Sequence, residues 1–264
     1  MPTIPKYTYN GPIDCTVTPD RTKMSGKSVI ITGGANGMGE VMVKEFVAVG
    51  AFVAFADLHP RGADLEKELN ANSSSPKATL SSATSETGTT RSSSLRRPRT
   101  AVPTTVSTLS LPTLVSVEAR ETAPGTWMGN WEYTSTKYSL RGFMKTVRRN
   151  RWEQSIRINY VAPCWIKSAI RTKDYETWLT EHGIEFGEQI HCAGAMVRIA
   201  CDKAVSGRSL MITPRSFAAQ GFVDVDKEDS RDPSDEYFIK KQATQLRIIE
   251  DQWRDDYKVR IYKE

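Results

Sequence analysis

The sequence predicts an α/β protein with a doubly wound parallel sheet flanked by helices. Three observations support this fold class: short β-branched runs typical of buried parallel strands, a glycine-rich turn between the first such run and a helix, and a strand–helix–strand–helix order. The 264 residues suffice for one such domain. We assign residues 1–26 to an N-terminal arm, 27–222 to the domain and 223–264 to a C-terminal tail.

The first half of the predicted sheet is the clearest part. The run SVIIT is the first strand, and GGANGMG then opens a helix in which Val43, Phe46 and Val47 form one apolar face and Gly50 marks the end. FVAFAD is the second strand, and GADLEKEL starts the second helix. This order is the first half of a doubly wound sheet.

Residues 73–124 interrupt the pattern. They contain 12 Ser and 11 Thr among 52 residues, and no Asp, Asn, Phe, Tyr or Ile. Such a tract lacks the apolar alternation of central strands, so we expect the central strands to be disrupted here and the tract to be poorly ordered.

The second half resumes with WEYTSTKYSLRGFMKTVRRN, a predicted helix with Tyr138, Phe143 and Val147 on its apolar side. SIRINYVAPCWI is a strand running into a loop, GEQIHCAGAMVRIAC a helix and GRSLMIT a last strand. The tail starts acidic and then predicts an amphipathic helix with apolar residues at Ile239, Ala243, Leu246, Ile249 and Trp253.

Charge and composition argue against several classes of function. The net charge is +5, and residues 73–101 alone hold five basic residues against Glu86, so no basic helix elsewhere suggests nucleic-acid binding. A weaker alternative is that residues 91–99 bind polyanions, which would give a steep salt dependence. The four Cys and three His show no metal-ligand spacing, so no metal is expected. With no apolar signal or membrane-spanning run, we expect a soluble, cytoplasmic protein.

The glycine-rich turn predicts a binding site for the diphosphate of a dinucleotide. Glycines let the backbone turn sharply and let a phosphate approach closely, and the helix N-terminus that follows offers free N–H groups. The alternative is an ordinary loop. The candidate residues of this turn are Thr32, Gly33, Asn36, Gly37, Met38 and Gly39.

Asp57 ends the second predicted strand, 24 residues after Gly33. A carboxylate at this place can accept hydrogen bonds from both adenosine ribose hydroxyls and repels a 2′-phosphate; the alternative is a solvated aspartate at a strand end. Asp57 therefore predicts NAD as the cofactor. Because Arg61 follows closely, NADP is left open.

Tyr133 and Lys137 are the candidate catalytic pair. At i and i+4 they share one helix face, and a nearby ammonium lowers the pKa of a phenol from its usual value of about 10. Such a tyrosine can exchange a proton with an alcohol or a carbonyl. The alternative is a solvated helical pair.

Together these motifs resemble the short-chain dehydrogenase/reductase family over Lys27 to about Asn70 and Trp131 to about Phe222. The resemblance implies a Rossmann-like sheet, homodimers or homotetramers, Tyr133 as acid/base, and Lys137 as the group that lowers its pKa and binds the nicotinamide ribose. It further implies that the nicotinamide lies near Pro163, Ile166 and Ser168.

Two parts of the family pattern do not appear. The Asn-Ala-Gly stretch is missing, and no Ser lies about a dozen residues before Tyr133; in addition, Cys164 stands where the family usually has Gly. One hypothesis explains these gaps: the tract is family sequence translated in the wrong reading frame. If the codons of residues 80–92 and 107–116 are both grouped one base earlier, they can encode FVKCDVRDWDDQV and VDIVLANAGI. A hydrophilic linker is the alternative.

The resulting prediction is an NAD(P)-dependent oxidoreductase that interconverts a secondary alcohol and a ketone. Its substrate is expected to be apolar and of small to medium size, within specialised metabolism. Tyr175, Trp178 and Phe186 are either pocket walls or ordinary packing. The alternative function is a catalytically impaired protein of this descent that at most binds dinucleotide.

Overall fold

A computed structural model of the chain describes residues 12–82, 106–108, 131–150, 155–169 and 171–226. After a 3₁₀ turn at Arg21–Met24, the elements in chain order are β1 Ser28–Thr32, α1 Gly37–Ala48, β2 Phe52–Asp57, α2 Arg61–Asn70, β3 Ala78–Ser82, β4 Val106–Thr108, α3 Trp131–Asn150, β5 Tyr160–Pro163, α4 Lys173–Glu181, α5 Gln189–Cys201, β6 Ser209–Ile212 and β7 Phe222–Asp224.

The chain divides into two compact units. One unit comprises residues 18–116 and 192–203, and the other comprises residues 1–17, 117–191 and 204–264. Among the helices within the described residues, none is long and apolar enough to cross a membrane.

The first unit contains a four-stranded parallel sheet in the order β3-β2-β1-β4. Strand β1 pairs with β2 from Ser28 opposite Phe52 to Thr32 opposite Ala56. In β1, Val29 and Ile31 are buried, the four middle residues of β2 are all buried, and Phe46 of α1 is buried as well. Burial of this extent is typical of parallel strands that βαβ crossovers cover with helices. The predicted strands and helices of residues 28–70 are therefore confirmed.

Residues 73–124, in which we expect disrupted central strands and poor order, contain two strands, β3 and β4, and these lie at the two edges of the described four-stranded sheet. Strand β3 pairs with β2 along its full length, from Ala78 opposite Val53 to Ser82 opposite Asp57, and β4 pairs with three residues of β1. Thr has a good β propensity, and the backbone ladders of β2 for β3 and of β1 for β4 supply the hydrogen bonds without apolar alternation. Residues 83–105 and 109–124 of the tract lie outside the described residues.

The second unit contains a three-stranded sheet in the order β5-β6-β7. Strands β5 and β6 are parallel, as predicted, whereas β7 returns antiparallel to β6, with Phe222 opposite Ile212. The sequence did not predict β7, because a strand of three residues next to a polar tail carries too little periodicity. The predicted tail helix lies outside the described residues.

Helix α3 buries a different face from the predicted one. Tyr138 and Phe143 are 68% and 61% exposed, whereas Met144 and Arg148 are buried. The Arg148 guanidinium forms an ion pair with the buried Asp226 and donates a hydrogen bond to the Gly207 carbonyl at 2.7 Å. A pair 78 residues apart in the chain leaves no local sequence signal, so the apolar-face prediction was wrong here.

Candidate functional site

The turn between β1 and α1 has the backbone that its glycines suggest. Gly33 and Gly37 have φ values of +70° and +55°, a region that favours glycine, and a Cβ at either place would meet nothing within 4 Å. The Gly33 N–H is anchored by donating to the Ala56 carbonyl at 2.7 Å. Open space therefore borders the turn at both of these glycines.

Gly39 needs its missing side chain for a different reason. A Cβ there would lie 1.7 Å from the Gly33 carbonyl oxygen, so only glycine allows α1 to pass this close to the turn. Gly34, which the sequence did not single out, lies against the Phe55 side chain. A Cβ at Gly34 would lie 2.8 Å from the Phe55 Cβ. Gly39 therefore allows α1 to start close to the turn, and Gly34 allows the turn to pack against Phe55 of β2.

The first turn of α1 leaves polar groups available. Asn36 is the N-cap residue, yet its side chain makes no capping hydrogen bond, so the first N–H groups of α1 have no side-chain acceptor from it. The Thr32 hydroxyl is buried and has no hydrogen-bond partner in the part of the chain that the structure describes. Met38 contacts Cys192, whose thiol donates to the Met38 sulfur at 3.5 Å. A helix N-terminus of this kind attracts anions.

Asp57 lies at the end of β2, as predicted, and it connects this end to the glycine turn. One carboxylate oxygen accepts the Ala35 N–H at 2.8 Å, and the other accepts the His59 N–H at 2.9 Å. The role of Ala35 was not predicted, because a backbone donor leaves no signature in a side-chain motif.

Arg61, which left NADP open in the sequence analysis, is held by two carboxylates. Its guanidinium donates to both oxygens of Glu68, at 2.6 and 2.8 Å, and to Glu40 of α1 at 3.0 Å. Glu40 also pairs with Lys44 at 2.6 Å. The spacing of seven residues between Arg61 and Glu68 on α2 was the available sequence signal, and it was missed.

In the second unit, α3 carries Tyr133 and Lys137 one helical turn apart. The Tyr133 side chain lies outside the described part of the structure. The Lys137 side chain is half-buried, and burial lowers the pKa of its ammonium. The exposed Ser139 donates its hydroxyl to the Ser135 carbonyl at 2.8 Å, one turn along the same helix.

The loop that follows β5 contains the three other candidate residues. Pro163 is the exposed last residue of β5, and Ile166 is buried and bridges to Gly187. Ser168 is half-buried, and its N–H lies 3.5 Å from a Glu176 oxygen. Arg171, which sequence analysis missed, donates to the Ile166 carbonyl and lies over the Trp165 ring at 5.8 Å. These contacts fix the conformation of the loop.

The aromatic residues after this loop pack mainly against one another. Tyr175 is buried with Leu179 and Ile184, and Trp178 and Phe186 pack against that cluster. This arrangement favours ordinary packing over the pocket-wall interpretation for Tyr175. Phe186 also lines an open groove of about 460 Å³ with Lys167, Lys173, Glu176, Thr177, Thr180 and Glu181.

His191, at the start of α5, is a further polar group that the sequence did not single out. Its ring is buried, with the Glu188 N–H 3.2 Å from Nδ1 and the Arg215 Nε 3.0 Å from Nε2. Burial, together with the positive charge of Arg215, lowers the pKa of His191. Among the described residues, no group of three or more His, Cys, Asp or Glu side chains is arranged to hold a metal ion.

Comparison with solved structures identifies the architecture. A hydroxysteroid dehydrogenase from Escherichia coli aligns with a TM-score of 0.53 and 17% identity, over 73% of this chain and 97% of that one. A short-chain dehydrogenase/reductase from Serratia marcescens aligns with a TM-score of 0.53 and 18% identity, over 72% and 97% of the two chains. This chain has the short-chain dehydrogenase/reductase fold.

Two further comparisons concern relatives of this fold. A blue fluorescent protein from a metagenomic library, solved in complex with NADPH, aligns with a TM-score of 0.51 and 18% identity, over 74% of this chain and 99% of that one. In sequence, 55 residues are 38% identical to 5′-hydroxyaverantin dehydrogenase of Dothistroma septosporum, which is 20% of this chain and 18% of that relative. No protein-family model matches the chain.

Proposed function

We propose that the chain is an NAD(P)-dependent oxidoreductase that interconverts a secondary alcohol and a ketone. The observation that carries this proposal is the glycine turn, with open space at Gly33 and Gly37 and with Gly39 tight against the backbone before α1. The hydroxysteroid and 5′-hydroxyaverantin dehydrogenases are named for hydroxylated substrates, which supports an alcohol as the reacting group.

The residues of the turn fit a dinucleotide diphosphate. The buried Thr32 hydroxyl has no acceptor or donor among the described residues, and the first N–H groups of α1 lack a capping side chain. In the proposed role Gly33, Gly37 and Gly39, with Asn36 and Met38, hold the diphosphate, and Asp57 accepts hydrogen bonds from the adenosine ribose. When bound, the nicotinamide supplies the hydride acceptor or donor.

The proton path belongs to α3. We assign to Tyr133 the exchange of a proton between its phenol oxygen and the substrate oxygen, because a phenol can act as acid and as base. In this proposal the cation of Lys137, at i+4, favours the phenolate form of Tyr133. Pro163, Ile166 and Ser168 would border the nicotinamide. A homodimer or homotetramer is also part of the proposal, supported by the exposed Tyr138 and Phe143.

One set of variants tests this function. The purified chain is titrated with NAD and NADP and then assayed with a panel of secondary alcohols and ketones, following nicotinamide absorbance. Tyr133→Phe is expected to lose 10²–10⁴-fold in turnover, about the contribution of general acid–base catalysis, while it binds dinucleotide as before. Tyr138→Phe on the same helix is the matched control and is expected to keep turnover. Equal turnover in both variants would contradict the assignment of Tyr133.

The second candidate is a catalytically impaired protein that at most binds dinucleotide. It is favoured by the absence of a Ser about a dozen residues before Tyr133 and of the Asn-Ala-Gly stretch in residues 73–124. In that case the titration shows binding, and no substrate of the panel is turned over. Sequencing the transcript across codons 70–130 tests the frame hypothesis that explains both absences.

A further inference from the structure

We propose that Glu40 and Glu68 determine the choice of dinucleotide by holding Arg61 in ion pairs, so that the site accepts NAD and rejects NADP. The inference rests on the proposed dinucleotide function and adds a specificity determinant to it. The residues concerned all lie in the first unit: Glu40 is on the first turn of α1, Arg61 is the first residue of α2, and Glu68 is on the last turn of α2.

Arg61 has the right position to decide between the two dinucleotides. It is the first residue of α2, four residues after Asp57, and no other Lys or Arg occurs between Asp57 and Gly62. Its backbone N–H donates to His59 Nδ1 at 3.2 Å, and the His59 N–H in turn donates to Asp57. A short chain of hydrogen bonds therefore ties Arg61 to the carboxylate that is proposed to bind the ribose.

The guanidinium of Arg61 is nevertheless already engaged. Nη1 and Nη2 bind the two oxygens of Glu68 in a fork, and Nη2 also binds Glu40, so three of the five N–H donors are used. Paired arginine–carboxylate bonds of this kind are short and directional. A 2′-phosphate would have to compete with both carboxylates for the same edge of the guanidinium.

The local charges act in the same direction. Among the described ion pairs, Glu40 and Glu68 pair with Arg61 and Lys44, and Asp57, four residues before Arg61, adds a third carboxylate. The hydrogen bond from Arg61 lowers the pKa of Glu68, and hydrogen bonds from Lys44 and Arg61 outweigh partial burial to lower the pKa of Glu40. Both glutamates are therefore charged at neutral pH, where a 2′-phosphate adds further negative charge.

Removing the two glutamate charges should free Arg61 for the phosphate. Arginine binds phosphate in a planar fork, so the double variant Glu40→Gln/Glu68→Gln gains a phosphate-binding group without any new residue. The ion pairs are partly exposed, and such pairs contribute about 0–1 kcal/mol to folding, so the variant is expected to fold.

The test is titration of the full chain with NAD and with NADP at equilibrium. Calorimetry measures the binding at two salt concentrations. The native chain is expected to bind NAD at least about tenfold more tightly than NADP. In Glu40→Gln/Glu68→Gln this ratio is expected to fall by about tenfold, through tighter NADP binding that weakens at high salt. Adding Arg61→Met to that double variant should restore the original ratio. Glu45→Gln is the matched control, since Glu45 is a similarly buried glutamate of α1 that pairs with Arg21 instead.

The possible outcomes distinguish a failure of this inference from a failure of the proposed function. If NAD binds and the NAD-to-NADP ratio is the same in the native chain and the double variant, the inference is wrong and the proposed function stands. A native preference for NADP would also overturn it. If neither dinucleotide binds the native chain or any variant, with unchanged thermal unfolding, the proposed function itself fails.

Discussion

The buried ion pair between Arg148 of α3 and Asp226, two residues after β7, gives a prediction with a defined magnitude. Asp226→Asn replaces a carboxylate that is 2% exposed and pairs with Arg148, which is 1% exposed. Arg141 and Lys145 lie 3.9 Å from the same carboxylate. Removing one partner of a buried pair leaves an uncompensated charge, which costs about 3–5 kcal/mol of unfolding free energy. Because α3 carries Tyr133 and Lys137, this loss would destabilise the proposed catalytic helix.

Urea unfolding at neutral pH measures this effect. Asp226→Asn, Arg148→Met and the double variant form a double-mutant cycle. The sum of the two single losses of unfolding free energy should exceed the loss in the double variant by a coupling energy of about 1–3 kcal/mol. Asp202→Asn is the control, because its ion pair with Arg198 is 35% exposed on the Asp side and should cost less than about 1 kcal/mol. If Asp226→Asn cost no more than this control, the assignment of a stabilising buried pair would be refuted.

Three other predictions concern the turn, a buried histidine and the Ser/Thr tract. Gly39→Ala forces a Cβ against the Gly33 carbonyl and should cost about 1–3 kcal/mol in urea unfolding and weaken NAD binding, whereas Gly142→Ala, which has open space, should not destabilise. Burial and Arg215 lower the pKa of His191 in the folded chain, so the contribution of His191 to the free energy of unfolding should be fully present above about pH 6.5 and decline below it. In urea titrations at two pH values, His191→Gln should reduce this decline. A chain with residues 80–92 and 107–116 in the alternative frame should turn over substrate faster in the same absorbance assay; equal or lower turnover would argue against the frame hypothesis.

The first half of the fold could be predicted from sequence because its signals are local. The β-branched run of β1, the glycines before α1 and the continuous apolar run of β2 each specify their own element. Strand β3 could not be predicted in this way, because its Ser and Thr residues are held by the backbone ladder of β2 rather than by an apolar pattern. Propensity is a weaker guide wherever a neighbouring strand supplies the hydrogen bonds.

The candidate site shows the same division. Gly33, Gly37, Gly39 and Asp57 were predicted, since a motif fixes their spacing and each has the predicted place in the fold. The bond of Arg61 to Glu40 was not, because Glu40 lies on another helix, 21 residues earlier in the chain. Only the bonds of Arg61 to Glu68, seven residues away on the same helix, had a local sequence signal. Ion pairs between elements are decided by tertiary packing, and no window of local sequence contains both partners.

The most direct test of the central claim is to observe where the diphosphate binds. Selective ¹⁵N labelling of glycine limits the amide spectrum to the 17 glycines of the chain. On titration with NAD, the account predicts saturable shifts of the Gly33, Gly37 and Gly39 signals, while Gly142 on α3 stays unchanged. Saturable NAD binding that leaves these three amides unperturbed would place the dinucleotide elsewhere and contradict the account.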